Sequence, residues 1–252
     1  MLVDYFGLQR MRGEKYMIKK ILRFMQHMLH KRKERNLYSS FISPQDLVFD
    51  VGANIGEHTE VFLELGAKVV CIEPQESCIK HLRKKFKNNK NVVIVKKGLS
   101  AEVGMLPLFI CEEANTISTF SEKWKTGRFR NYQWNKKVEV SVTTLDELIK
   151  KYGVPSFCKI DVEGYDLQVL HGLSSKIPCI SFEFTVEFLD DAKSCVEYLS
   201  SLGTVKFNFC IGASMKLHSD KWLTSKELFD KLASIGNENL WGDIYAKFEE
   251  NI

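Results

Sequence analysis

What this chain lacks narrows what it can be. It has no Cys-x-x-C pair: its seven cysteines (71, 78, 111, 158, 179, 195 and 210) are odd in number, scattered, and in several cases set inside apolar runs. That pattern argues against a disulfide framework or a zinc site and for reduced core thiols. No apolar run reaches the length of a membrane span, and Asp4, Arg10 and Arg12 interrupt anything like a secretory leader, so the expected location is cytoplasmic. Internal repeats and low-complexity tracts are absent, and the glycines never take the G-x-G-x-x-G spacing of a dinucleotide loop.

With 252 residues and 44% hydrophobic content, the chain can bury one large core and carry an appended segment. The net charge of +4 is uneven: residues 1–45 hold ten Lys or Arg against three acids, a balance of +7, which leaves −3 for the other 207 residues. In that segment Met17, Ile18, Ile21, Leu22, Met25, Met28 and Leu29 recur at helical spacing, with Phe24 widening the stripe. Lys19, Lys20 and Arg23 flank them and Lys31-Arg32-Lys33 follows, which predicts a basic amphipathic helix. Its apolar stripe either packs on the body or on a second subunit, the favoured reading, with a homodimer as one form of it. The other use is an anionic surface, as a peripheral membrane contact through residues 16–35 or on nucleic acid, though no stable nucleic-acid partner is expected. The expected division is a helical arm over 1–45 and a ligand-binding domain over 46–252.

The most informative stretch is Leu47-Val48-Phe49-Asp50-Val51-Gly52-Ala53-Asn54-Ile55-Gly56, a buried-strand pattern that runs into a glycine turn. Val61, Phe62 and Leu65 at helical spacing then complete the strand, turn and helix of a doubly wound α/β domain. Asp50 decides the ligand class. A carboxylate beside the turn would repel a pyrophosphate, whereas S-adenosyl-L-methionine carries a sulfonium and an ammonium that it would attract, with Asn54 adding a neutral amide. Glu73 ends the next apolar run, Lys68 to Ile72, about 20 residues on, where a carboxylate can accept from both ribose hydroxyls; Pro74 stops the strand.

Beyond it, Gln75 to Phe86 reads as a helix and Asn91 to Val95 as a strand, followed by Leu99 and Ser100 in the loop that borders an adenine in this class. Met105 to Ile110 and Val138 to Thr143 read as strands flanking residues 112–137, too long for a hairpin loop. That interruption holds Trp124, Phe129, Tyr132 and Trp134 among Lys123, Lys125, Arg128, Arg130, Lys136 and Lys137, which suits either a substrate-stacking loop or a packed excursion or dimer contact. Thr144 caps a helix from Leu145 with Glu147 as its partner. Phe157 to Asp161 and Cys179 to Phe184 are further strands, and Lys206 to Ile211 with Asp243 to Phe248 reads as a closing antiparallel pair with a long loop between.

In this order, Asp50-Val51-Gly52-Ala53-Asn54-Ile55-Gly56, Ile72-Glu73-Pro74, Thr143-Thr144-Leu145-Asp146-Glu147-Leu148, Lys159-Ile160-Asp161-Val162-Glu163-Gly164 and Phe182-Glu183 resemble the FkbM family of S-adenosylmethionine-dependent methyltransferases. The resemblance covers residues 46–184. It implies a Rossmann-like class I fold: a mostly parallel seven-stranded sheet with an antiparallel last strand and helices on both faces. It also implies methyl transfer, most often to a hydroxyl, here of a sugar-like, polyketide or other natural-product acceptor. N-methylation ranks lower because the Asn/Asp-Pro-Pro-Tyr/Phe signature of many amine methyltransferases is absent. A cofactor-binding scaffold that joins a membrane or assembly through its basic arm is the non-enzymatic alternative.

An open parallel sheet binds its ligand across the carboxyl ends of its strands, which brings Asp50, Asp161 and Glu183 to one rim. Asp161 and Glu183 are the candidate acceptors for the substrate proton, with His58 suggested by residue type and Lys159, on the same strand face as Asp161, as an ion pair or an acceptor contact. Glu163, Trp124, Trp134 and Trp241 are candidate acceptor contacts, and no obligatory metal is expected.

Overall fold

The computed structural model describes residues 20, 25–127, 129–237 and 239–249. Met17, Ile18, Lys19, Ile21, Leu22, Arg23 and Phe24 of the amphipathic stripe, and Arg128 of the aromatic segment, lie outside the described residues.

Alternating strands and helices wind into one sheet. β1 (Leu47–Val51), β2 (Lys68–Ile72), β3 (Val92–Val95), β7 (Phe157–Ile160) and β8 (Cys179–Thr185) run parallel, and the sheet order is β3-β2-β1-β7-β8-β10-β9. β10 (Trp241–Phe248) inserts antiparallel between β8 and β9 (Val205–Ile211). This is the Rossmann-like arrangement that the resemblance implied, seven strands with the last antiparallel. β1 and β7 are buried on both faces because helices cover both: α2 (Glu57–Glu64) and α3 (Glu76–Lys85) follow the first two strands, while α5 (Leu145–Tyr152), α6 (Asp166–His171) and α7 (Leu189–Leu202) serve the second half. Thr144 caps α5 by accepting from the Glu147 N–H.

Three features depart from expectation. The strands β5 (Gly104–Ile110) and β6 (Lys136–Thr143) pair with β4 (Gly98–Leu99) in a separate three-stranded sheet. The loop read between the closing strands contains α8 (Ser225–Ile235), begun by a Thr224/Glu227 capping box and seated through Leu228 and Leu232. The third concerns the arm, where a helix occupies residues 25–38 (α1). Met25, Met28 and Leu29 are exposed, so among the described residues the stripe does not pack on the body, one half of the favoured reading; packing on a second subunit, the other half, is not contradicted by this. What docks is the next turn and its continuation: Leu37, Tyr38 and Ile42 enter the core beside Phe62 and Phe157.

Candidate active site

The first strand's turn is built on its neighbours. The Gly52 and Ala53 N–H groups donate to the Ile72 carbonyl at 3.0 and 3.1 Å. At φ +80 Gly52 sits where a Cβ would come within 1.9 Å of the Asp161 carbonyl oxygen, so only glycine lets β7 end this close to the loop. Glu73 clamps the other side: it accepts from the Asn54 N–H at 2.9 Å and from the Gln75 N–H at 2.7 Å. Burial pushes its carboxyl up to about 7 despite those two donors, which work the other way. Gly52, Asn54, Glu73, Pro74, Leu99 and Asp161 line the resulting cleft, together with Glu163.

Residues 112–137 roof it. Thr116, Ser118, Thr119 and Phe120 face the cleft, and the Thr119 hydroxyl donates to the Glu163 carbonyl at 2.7 Å, fastening the roof to the turn after β7. Phe120 is also a wall of a second cavity of about 320 Å³, on the other side of that turn. Here α4 (Glu122–Thr126) lays Trp124 on Gly164, where a Cβ would lie 2.6 Å from the indole, and Lys123 ties the helix to Asp191 of α7 at 2.8 Å. Tyr165, Asp166, Glu183, Thr185 and Phe188 complete the lining.

Behind the cleft lies a buried polar cluster. Lys159 is 2% exposed and pairs with Asp161 at 2.6 Å. Burial opposes its charge, but Asp161, Asp243 and Tyr38 outweigh this and hold the ammonium well above its usual range. Burial likewise opposes ionisation of Asp161, yet the Lys159 charge and hydrogen bond keep its carboxyl below the usual range. Glu183 is driven well above that range by burial first and then by the charges of Asp161, Glu163, Asp166 and Asp243.

Several expected site residues stand elsewhere. Asp50 is 1% exposed and accepts from the Thr59 hydroxyl behind the loop; it is set back from the cleft wall because β1 turns its side chain toward α2. Gly56 packs against Leu82 and Phe86, and the Ser100 hydroxyl pairs with that of Tyr165 at 3.2 Å. His58 faces α1, its Nδ1 3.1 Å from Glu34, because its place in the first turn of α2 points it at the arm. Trp134 donates to the Phe129 carbonyl within the insertion, and Trp241 lies 41% exposed at the start of β10, so neither reaches either cavity. Lys159 lines neither cavity and touches the cleft only through Asp161.

Sequence reasoning missed Tyr165, Asp166, Thr185 and Phe188. Asp166 and Thr185 each lie a few residues past a strand end already singled out, a position signal available in the sequence; Phe188 had none. Among the described residues no three His, Cys, Asp or Glu side chains gather as a metal site would require.

Residues 50–205 match the model of the methyltransferase FkbM domain family. A hexuronic acid methyltransferase, AglP of Haloferax volcanii, is 26% identical over 140 residues, 54% of each chain. The match thus spans about half the length of that relative. Similar solved structures include a precorrin-6y C5,15-methyltransferase of Geobacter metallireducens, with a TM-score of 0.44 and 12% identity over 88% of this chain and 87% of that one. Another is the fibrillarin of Aeropyrum pernix with natively bound S-adenosyl-L-methionine, with a TM-score of 0.39 and 9% identity over 82% of this chain and 68% of that one.

Proposed function

This chain belongs to the FkbM methyltransferase family, with S-adenosyl-L-methionine as its cofactor, and from that premise we propose that it methylates a hydroxyl oxygen of a sugar-like acceptor. The observation that carries the proposal is the adjacency of two cavities, a cleft clamped by Glu73 and an aromatic, acid-lined pocket, which share Phe120 and meet at the turn after β7.

The donor set of the cleft fits the cofactor. Glu73 offers carboxylate oxygens for a ribose diol, Asn54 and the loop suit the amino-acid end, and Ile72, Leu99 and Leu108 make an apolar slot for the adenine. No cluster of cationic side chains lines the cleft as a phosphate would need, Lys97 apart. When bound, the cofactor supplies an electrophilic methyl group on a sulfonium.

The chain's own part is to position the acceptor and take its proton. Asp161, kept ionised by Lys159, accepts a hydrogen bond from the attacking hydroxyl and points its lone pair at the methyl; proximity of this kind supplies most of such a displacement. As the new carbon–oxygen bond forms, the hydroxyl proton passes to the ionised Asp161 carboxylate that already accepts its hydrogen bond, while Glu183, whose carboxyl burial keeps toward its neutral form, hydrogen-bonds the acceptor beside it. Asp50 serves the site indirectly, holding α2 and the loop through Thr59. The name of the Haloferax relative favours a sugar ring as acceptor.

The test is a calorimetric titration with S-adenosylhomocysteine, with NAD as control, followed by transfer of labelled methyl to a panel of hydroxylated acceptors. Saturable binding that excludes NAD, and label found on oxygen, is expected; label on nitrogen alone would overturn the proposal. Glu73→Ala should weaken S-adenosylhomocysteine binding about tenfold or more, from roughly 1–3 kcal/mol of lost charge-assisted hydrogen bonding. Asp161→Asn should lower turnover while changing that affinity far less.

A further inference from the structure

Four polar atoms on residues that line the second cavity are buried without a hydrogen-bond partner among the described residues: Trp124 Nε1, Asp166 Oδ1, Glu183 Oε2 and Thr185 Oγ1. Leaving one such atom unpaired costs roughly 1–3 kcal/mol, and here the four belong to residues around one cavity. They come from separate elements, α4, the start of α6 and the end of β8, so no single local distortion accounts for them. Asp166, Trp124 and Thr185 are each no more than 5% exposed.

The chemistry of the four is specific. The indole only donates, and the Thr185 hydroxyl both donates and accepts. Burial, then the Asp161 charge, pushes Asp166 up to about 7, and burial drives Glu183 well above the usual carboxylate range, so near neutral pH both are available in the acid form that donates and accepts like an alcohol. The remaining wall is aromatic: Trp124 and Phe188 are tilted at 5.5 Å between centroids, and Phe120 and Tyr165 at 5.3 Å. A guest matching this wall has hydroxyls on its edge and an apolar C–H face. The volume of about 320 Å³ is at the small-ligand end of the usual range of roughly 300–1,000 Å³.

Resting on the methyltransferase reading above, we propose that this cavity holds the uncharged, hydroxyl-bearing ring of the acceptor, a neutral hexose unit, and excludes the corresponding anionic uronate ring because its lining offers a buried carboxylate no unpaired cation. A carboxylate brought in here would join Glu122, Asp166, Glu183 and Asp191 in the lining, while the ammonium of Lys123 is already paired with Asp191. Trp124 and Thr185 bond the ring hydroxyls and Phe188 packs on its C–H face.

The experiment is a titration of the S-adenosylhomocysteine-saturated protein with methyl glycosides of glucose, galactose and mannose, and with the matching methyl uronosides, read by saturation-transfer NMR. At least one neutral glycoside should bind tenfold or more tightly than its uronoside. Thr185→Val, nearly isosteric and well suited to a strand, should weaken that glycoside at least fivefold with S-adenosylhomocysteine affinity unchanged. Asp191→Asn, which frees the Lys123 ammonium, should narrow the preference over the uronoside. Equal or tighter uronoside binding, no neutral binding, or an unaffected Thr185→Val protein would overturn this inference alone. Absence of S-adenosylhomocysteine binding in folded protein would overturn the underlying reading as well.

Discussion

Lys159 is the side chain through which the hidden half of the site is organised. It pairs with Asp161 and lies within the electrostatic reach of Asp243, Asp50 and Glu34, buried carboxyl groups whose ionised forms it favours. Removing one partner of a buried pair typically costs about 3–5 kcal/mol because the other charge is left unsolvated. Lys159→Met should therefore lower unfolding stability by about that much in a denaturant titration; a loss under about 1 kcal/mol would mean that water already solvates the cluster. His58→Gln, by contrast, removes the contact to Glu34 and the ring packing on Tyr38 and Phe62, all on the α1 side, and should leave S-adenosylhomocysteine affinity within about twofold. The difference between these two residues shows what was legible at this scale. Two-residue spacing on a strand is geometry, so the Lys159–Asp161 pairing could be read directly. Being a histidine near a cofactor loop is only residue type, and α2 turns that imidazole toward the arm.

Among the elements, period and punctuation carried the sheet. The runs ending at Val51, Ile72, Ile160 and Thr185 were readable because a doubly covered strand is continuously apolar and ends in a turn signal. α7 and α8 were readable too but passed over: Ala192, Cys195, Val196 and Leu199 have helical spacing, and Thr224 with Glu227 is a capping box. The roof was not legible, because residues 112–137 have no period and their placement depends on single contacts such as Thr119 to Glu163. Two substitutions separate these cases. Thr224→Ala should cost about 1 kcal/mol, the usual worth of such a cap, with no effect on ligand binding. Gly52→Ala forces a Cβ into the Asp161 carbonyl and so must separate β1 from β7 at the cleft; it should abolish measurable S-adenosylhomocysteine binding in calorimetry, and near-normal affinity would show that the loop yields freely.

Over the whole molecule, the burial that shapes both cavities makes folding sensitive to pH. Glu73 and Asp166 are raised to about 7 from ordinary values of 4.5 and 3.8, mainly by burial, so between those ordinary values and about pH 7 the folded protein holds protons that the unfolded chain has already released. Their contribution is present in full below about pH 4 and is lost as pH rises through about 7, roughly 3 kcal/mol apiece over that interval. Glu227, lowered to about 2, and Asp161, also lowered, act in the opposite sense, adding stability above the ordinary carboxylate range that disappears in acid. The two trends together put maximum stability on the acid side of neutrality. The cofactor alters the balance at one of the two groups, because ribose hydroxyls donate to an ionised Glu73 and thereby favour the form that burial resists. Melting temperature should accordingly fall between pH 5.5 and 8 in the free protein, and S-adenosylhomocysteine should raise it more at pH 8 than at pH 6. Glu73→Gln, which removes the titration but keeps the shape, should flatten part of the fall and abolish that pH-dependent gain. A free protein whose melting temperature is constant from pH 5.5 to 8 would mean that neither carboxyl is held in its neutral form.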